Sequence, residues 1–191
     1  MLATVLLPLF SIGPLLLHPM VQLLSTTQAY DVDFATASTA YLNRYPNPYA
    51  KHVLSSDTIE TYVDDLGRLR TTRLVVKTGA LPDFIKPFLG DKLNSWILEK
   101  SIIDPKSKKV WTYSANVDHR RFVKIEEYVN YDTTDENTTL QVQVRFSSNF
   151  IGFKKRIEQW SRDKFHLNLG NSREGFMYVM NKFQRPRWAY E

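Results

Sequence analysis

Alternation of apolar and polar residues dominates the middle of the chain. Val53 to Val63 and Arg68 to Thr78 flank a turn at Asp64-Asp65-Leu66-Gly67, and Leu69, Thr71, Arg73, Val75 and Lys77 share one face of the second run, which predicts a hairpin. Ser95 to Asp104 and Lys109 to Val117, around Pro105-Lys106-Ser107-Lys108, predict a second. Val123 to Tyr131 and Thr139 to Phe146, around the acidic turn Asp132 to Asn137, predict a third. Strands joined by such short connections form an antiparallel sheet. Val21 to Tyr30 reads as a further strand. Asp31 or Asp33 then caps a short helix through Asn43, with Phe34, Ala37, Ala40 and Tyr41 at helical spacing and Pro46 and Pro48 beyond its end. Leu81 to Gly90 is an apolar loop with two prolines, which excludes it from a central strand. A long helix from about Phe150 to Phe183 closes the pattern. A meander of strands followed by one long helix predicts an α+β domain in which the sheet wraps that helix.

On a helical wheel, Phe153, Ile157, Trp160 and Leu167 of the last helix lie within about 80° of one another and predict the stripe facing the sheet. Lys164, Asn168 and Asn171 fall in the same sector. A second apolar stripe of Phe165, Leu169, Phe176, Met180 and Phe183 lies about 150° round the helix. A lysine in an inward stripe needs a carboxylate partner, a route for its stem to water, which a bend at Gly170 would assist, or an anion inside a cavity. The wheel leaves these three open.

Composition narrows the classes. The 191 residues contain no cysteine, which excludes a disulfide framework, Cys-based zinc, iron–sulfur clusters and thiol catalysis. The net charge is +5, and all of it lies in the C-terminal segment: residues 1–150 hold 16 basic and 16 acidic side chains, residues 151–191 hold 9 and 4. Such a segment suits an anionic partner or a solvated helix face. Residues 1–19 carry no charged side chain, but Pro8, Pro14 and Pro19 interrupt them and no basic start precedes them; they read first as an extension outside the domain, then as a poor signal or anchor, and last as an integral part of the fold.

Signatures of catalysis are missing from the sequence: no Gly-rich phosphate loop, no GxSxG, no HExxH, and no metal-ligand spacing among His18, His52, His119 and His166. Asp118-His119 reads as the start of a turn, and Glu126-Glu127 as a strand pair with one side chain exposed. No cofactor or metal is expected. The basic segment lacks an RNA-binding signature, so no nucleic acid is expected either. Arg44, His52, Arg73 and Lys77 are cationic candidates that, taken singly, also suit solvated surface charge.

Several motifs together resemble the PRELI/slowmo family: Asn43 to Tyr49 (NRYPNPY), Leu69 to Leu74 (LRTTRL), Leu81 to Leu89 (LPDFIKPFL), Glu126 to Tyr128 (EEY) and Glu158 to Phe165 (EQWSRDKF). The similarity runs from Met20 to about Phe183 and leaves 184–191 as a tail. Arg44 with its Pro-Asn-Pro turn is most similar to the fungal phosphatidic acid transfer branch. The resemblance implies a START-like, helix-grip fold: a curved antiparallel sheet around a long C-terminal helix, enclosing a lipid cavity. It further implies non-catalytic transfer of phosphatidic acid from outer to inner mitochondrial membrane for cardiolipin synthesis, in the intermembrane space. A small partner with twin CX9C motifs and transient contact with anionic membranes are also implied.

By that resemblance Arg44 lies on the pocket floor, with His52, Lys77, Lys164 and Asn168 around the headgroup. Leu81, Phe84, Ile85, Lys86, Phe88 and Leu89 belong to a lid that touches membranes, and Phe153, Ile157 and Trp160 line the cavity. Relatives often have lysines where this chain has Ala80 and Asn171. Transfer of phosphatidylserine, a lipid-modifying enzyme in the same cup, and a protein-binding scaffold are the competing expectations.

Overall fold

Each polar turn noted above closes a hairpin in the structure. The computed structural model describes residues 22–90, 92–148 and 152–184; the expected extension over 1–19, and the tail beyond Gln184, lie outside the described residues. In order, the elements are β1 (Gln22–Tyr30), α1 (Phe34–Leu42), β2 (Val53–Val63), β3 (Leu69–Ala80), α2 (Lys86–Leu89), β4 (Lys92–Asp104), β5 (Lys109–Asn116), β6 (Lys124–Thr133), β7 (Thr138–Ser147) and α3 (Lys154–Phe183). The strands form one curved antiparallel sheet in the order β1-β7-β6-β5-β4-β3-β2. β2 to β7 are a meander, and among the described residues only the β1–β7 strand pairing joins distant segments.

Asp33 caps α1 by accepting the Thr36 N–H at 2.8 Å, as its side-chain type requires. The loop after β3 holds one short turn of helix, α2, which Gly90 ends at φ 84, a left-handed value open to glycine at no steric cost. Two register shifts in β2 bend that edge strand.

Alternation along the strands sorts one row of side chains onto the face that meets the helices. In register this row reads Arg73, Glu99, Ser114, Glu127 and Val144 across β3 to β7. Charge therefore runs along this row as far as β6, and the aliphatic half of the inner face lies toward the row Ile103, Val110, Tyr131 and Leu140. Over the aliphatic half, Phe176 of α3 meets Tyr30 and Tyr131 edge-on at 5.6 and 5.8 Å, and Tyr41 of α1 meets Tyr131 at 5.7 Å. Val110, Leu140, Val142, Val144, Phe146, Val179 and Met180 complete this core.

The stripe of α3 that faces the sheet differs from the expected one. Leu167 is 70% exposed, and Asn168 and Asn171 are exposed, whereas Phe176, Val179 and Met180 are buried and Phe165 packs against the core. The second apolar stripe is thus the packing stripe along most of the helix. α3 meets α1, β1 and β7, and that asymmetric seat turns Phe165 and Phe176 inward. Only near the helix start does the first stripe hold, where Ile157 is 3% exposed.

Candidate functional site

Arg44 leaves the end of α1 and turns beneath the charged half of the sheet. Its guanidinium carbon sits 4.4 Å from the Tyr41 ring centroid and 4.9 Å from that of Tyr45, so aromatic faces cover it. Nη1 donates to the Tyr41 carbonyl oxygen at 3.0 Å, and Nη2 is paired with Glu99 Oε2. The other Glu99 oxygen accepts from the Tyr41 hydroxyl at 2.9 Å. Asn47 fixes the turn by donating to the Arg44 carbonyl at 2.7 Å and accepting the Tyr49 N–H at 2.9 Å. Gly175 of α3 lies against it: a Cβ there would stand 2.9 Å from Asn47 Oδ1, so a residue without a side chain lets helix and turn approach.

Electrostatics follow from this burial. Desolvation pulls the Arg44 pKa down, but Glu99 and the oxygens of Tyr41, Tyr45 and Tyr131 outweigh it and hold the group well above its ordinary value. Burial raises the Tyr41 phenol to about 12, with Arg44 opposing and Glu99 adding. Lys77 is likewise held above its usual value, first by Tyr45, with burial opposing and Glu127 adding. Arg73, 7% exposed, donates to the Leu42 carbonyl at 2.9 Å, and its Nε is buried with no hydrogen-bond partner among the described residues.

The structure therefore brings two expected headgroup residues, Arg44 and Lys77, into one cluster. His52 is exposed at its edge, tied to β3 by a 2.8 Å bond from the Thr78 N–H to its carbonyl. Partial burial, and then Lys77, lowers its pKa. Lys164 is half-buried on the flank of the packed stripe and Asn168 is exposed; among the described residues no hydrogen bond or ion pair joins either to the cluster. Glu99, Tyr41 and Tyr45 were not anticipated. The period-two pattern Ile97, Glu99, Ser101, Ile103 does place Glu99 on the inner face, and that was the available signal.

The loop after β3 folds against the start of α3. Phe84 stacks on Phe153 with centroids 5.6 Å apart and planes 4° apart, and the Arg156 guanidinium lies 4.4 Å from the Phe84 centroid. Leu81 is half-buried, Ile85 is 3% exposed, and Lys86 pairs with Asp83 at 2.6 Å. The side chains of Phe88 and Leu89 lie outside the described residues. A groove of 480 Å³ runs beside Phe84, lined by Lys155, Arg156, Gln159, Trp160 and Asp163. Trp160 thus stands at the loop–helix seam, half-buried, instead of under the sheet.

Elsewhere, Asp118 accepts from the Ser95 hydroxyl at 2.9 Å and the Trp96 N–H at 3.0 Å, which ties the turn carrying His119. Among the described residues no group of acids and histidines could hold a metal ion, and no helix is long and apolar enough to cross a membrane.

Comparison with known proteins gives these features a setting. A family model described as the PRELI-like family matches residues 35–186. Protein UPS1, mitochondrial, of Saccharomyces cerevisiae is 45% identical over 171 residues, 88% of this chain and 98% of that one. A solved structure from Thermus thermophilus superposes with a TM-score of 0.60 at 12% identity, covering 86% of this chain and 100% of the other. A START superfamily protein from Mycobacterium smegmatis does so at 0.50 and 11%, covering 85% and 99%. The two structures speak for a START-like fold alone.

Proposed function

The chain belongs to the PRELI-like family, and on that premise we propose that it is a non-catalytic carrier that encloses one phosphatidic acid molecule and moves it from the outer to the inner mitochondrial membrane. The observation that carries this reading is the floor, where half-buried Arg44 lies against the Tyr41 and Tyr45 rings and half-buried Lys77 is near Tyr45. Cations partly withdrawn from water in this way suit an anion delivered on an apolar body. Extracting a diacyl lipid uncovers on the order of thirty methylenes at about 0.8 kcal/mol each, so a carrier needs an enclosure rather than an open surface. A phosphomonoester brings about −1.5 to −2 charges, which Arg44, Lys77 and, from the helix side, Lys164 would offset, with His52 and Asn168 at the margin.

The loop 81–90 supplies a lid. Phe84, Phe88 and Leu89 would enter the membrane interface while Lys86 meets anionic headgroups, giving reversible docking. The intermembrane space, supply to cardiolipin synthesis, and a small twin CX9C partner complete the proposal; a chain without cysteine has none to mispair there.

Transfer of fluorescent phosphatidic acid between vesicles tests the reading. Arg44→Glu and Lys164→Glu should each slow it at least about ten-fold, the effect of about 1.4 kcal/mol, with thermal unfolding still cooperative. Folded variants that transfer at the wild-type rate would remove the assigned polar site. Mass spectrometry of co-purified lipid identifies the cargo, and phosphatidylserine there would replace phosphatidic acid in the proposal.

A further inference from the structure

Both terminal nitrogens of the Arg44 head are engaged before any ligand arrives. Nη1 is held by a backbone carbonyl, Nη2 by Glu99, and the ring faces of Tyr41 and Tyr45 lie against the guanidinium. Of the two hydrogen-bond partners only Glu99 is a side chain that can turn away; the carbonyl belongs to the last turn of α1. Glu99 is itself 7% exposed and held through its other oxygen by Tyr41. Arg44 has further N–H donors, but a phosphate oxygen reaching Nη2 comes beside a resident carboxylate of like charge.

We propose that Glu99 is the internal counter-ion of the carrier: it takes Arg44 back as the headgroup leaves, so that release is an exchange of one anion for another. This rests on the carrier reading above. A buried guanidinium stripped of its partner is strongly unfavourable, so a floor without Glu99 would cling to its cargo. A buried ion pair adds little to folding relative to apolar packing, which leaves room for such a role. Glu99 is thus a positioning residue that acts through Arg44, and its neutralisation should strengthen retention while slowing delivery.

The experiment uses the full chain loaded with phosphatidic acid from vesicles. In Glu99→Gln, lipid extracted from the purified chain should rise and vesicle-to-vesicle transfer should fall about ten-fold, a change of about 1.4 kcal/mol. Glu99→Asp, which keeps the charge and withdraws it by one methylene, should lie between. Added phosphatidic acid should raise the melting temperature of the variant more than that of the wild type, because the empty form has lost its counter-ion. Scoring the extracted diacyl lipid separates a phosphate headgroup from free phosphate.

A merely structural role would lower retention and transfer together in both variants and leave the lipid-induced shift unchanged; that result overturns the inference. If Glu99→Gln does not fold without lipid, the Glu99→Asp comparison decides alone. A wild type that neither takes up nor delivers phosphatidic acid would instead sink the carrier reading.

Discussion

The two halves of the inner face solve opposite problems. On the β6 to β7 side, Tyr131, Val142, Val144 and Phe146 are buried in one cluster with Phe176 and Met180, and Phe165 packs against it. On the β3 to β4 side, Arg73, Lys77 and Glu99 lie at equivalent positions of the same pleat, beneath Arg44 and two tyrosines. Strand alternation is the same in both. What differs is the covering element: α3 seats on β1 and β7, and its Phe176 reaches Tyr131 of β6. One sheet thus provides a closed core and, on the same face, a charged floor.

Replacement of residues in each half sharpens the contrast. Tyr131→Ala should cost about 3–5 kcal/mol in chemical denaturation, the range for deleting a large packed side chain. Arg44→Met alone should cost a similar amount, because it strands Glu99. The pair Arg44→Met with Glu99→Met should recover most of that loss while abolishing lipid transfer. If the double replacement is as unstable as the single one, the floor is core after all, and the distinction between the halves fails.

A smaller effect is expected at the seam. Phe84→Ser with Phe88→Ser should slow docking to anionic vesicles in a sedimentation assay. Its effect on stability should be about 1–2 kcal/mol, since the Phe84–Phe153 stack contributes about 0.5–1.5 kcal/mol beyond area. Loss of cooperative folding would place this loop with the closed half.

The smallest effects concern protons. Burial raises Tyr41 to about 12, so the fold favours the hydroxyl form; that contribution is complete below the ordinary value of 10.0 and is lost as pH climbs from there toward 12. His52 is shifted the other way. Its folded form favours the neutral ring, so its contribution is complete above 6.5 and is lost as pH falls below it. Lys77→Met should move the His52 midpoint part of the way back up, read by NMR titration. An unmoved midpoint would detach His52 from the floor.

Local chemistry was the legible part of the fold. Asp33 announces α1, and the turns at 64–67, 105–108 and 132–137 announce three hairpins, because each depends on neighbours in sequence. The inner row of β3 was legible for the same reason. The orientation of α3 was not: two apolar stripes compete on one helix, and the choice between them rests on contacts with α1, β1 and β7, the first two more than a hundred positions earlier. The floor was half legible. Arg44 and Lys77 came from the family resemblance, since each taken singly also suits solvated surface charge; the pairing of Arg44 with Glu99 spans 55 residues, and no local pattern encodes it.

The stack at the loop has an optical consequence. Trp160 borders the groove beside Phe84, where Phe84 is held between Phe153 and Arg156. Departure of the loop would open that flank of the indole to water. The chain thus carries an intrinsic reporter of loop position: its emission should move to the red when the loop leaves α3, with no label attached, and Trp160→Phe should silence the change.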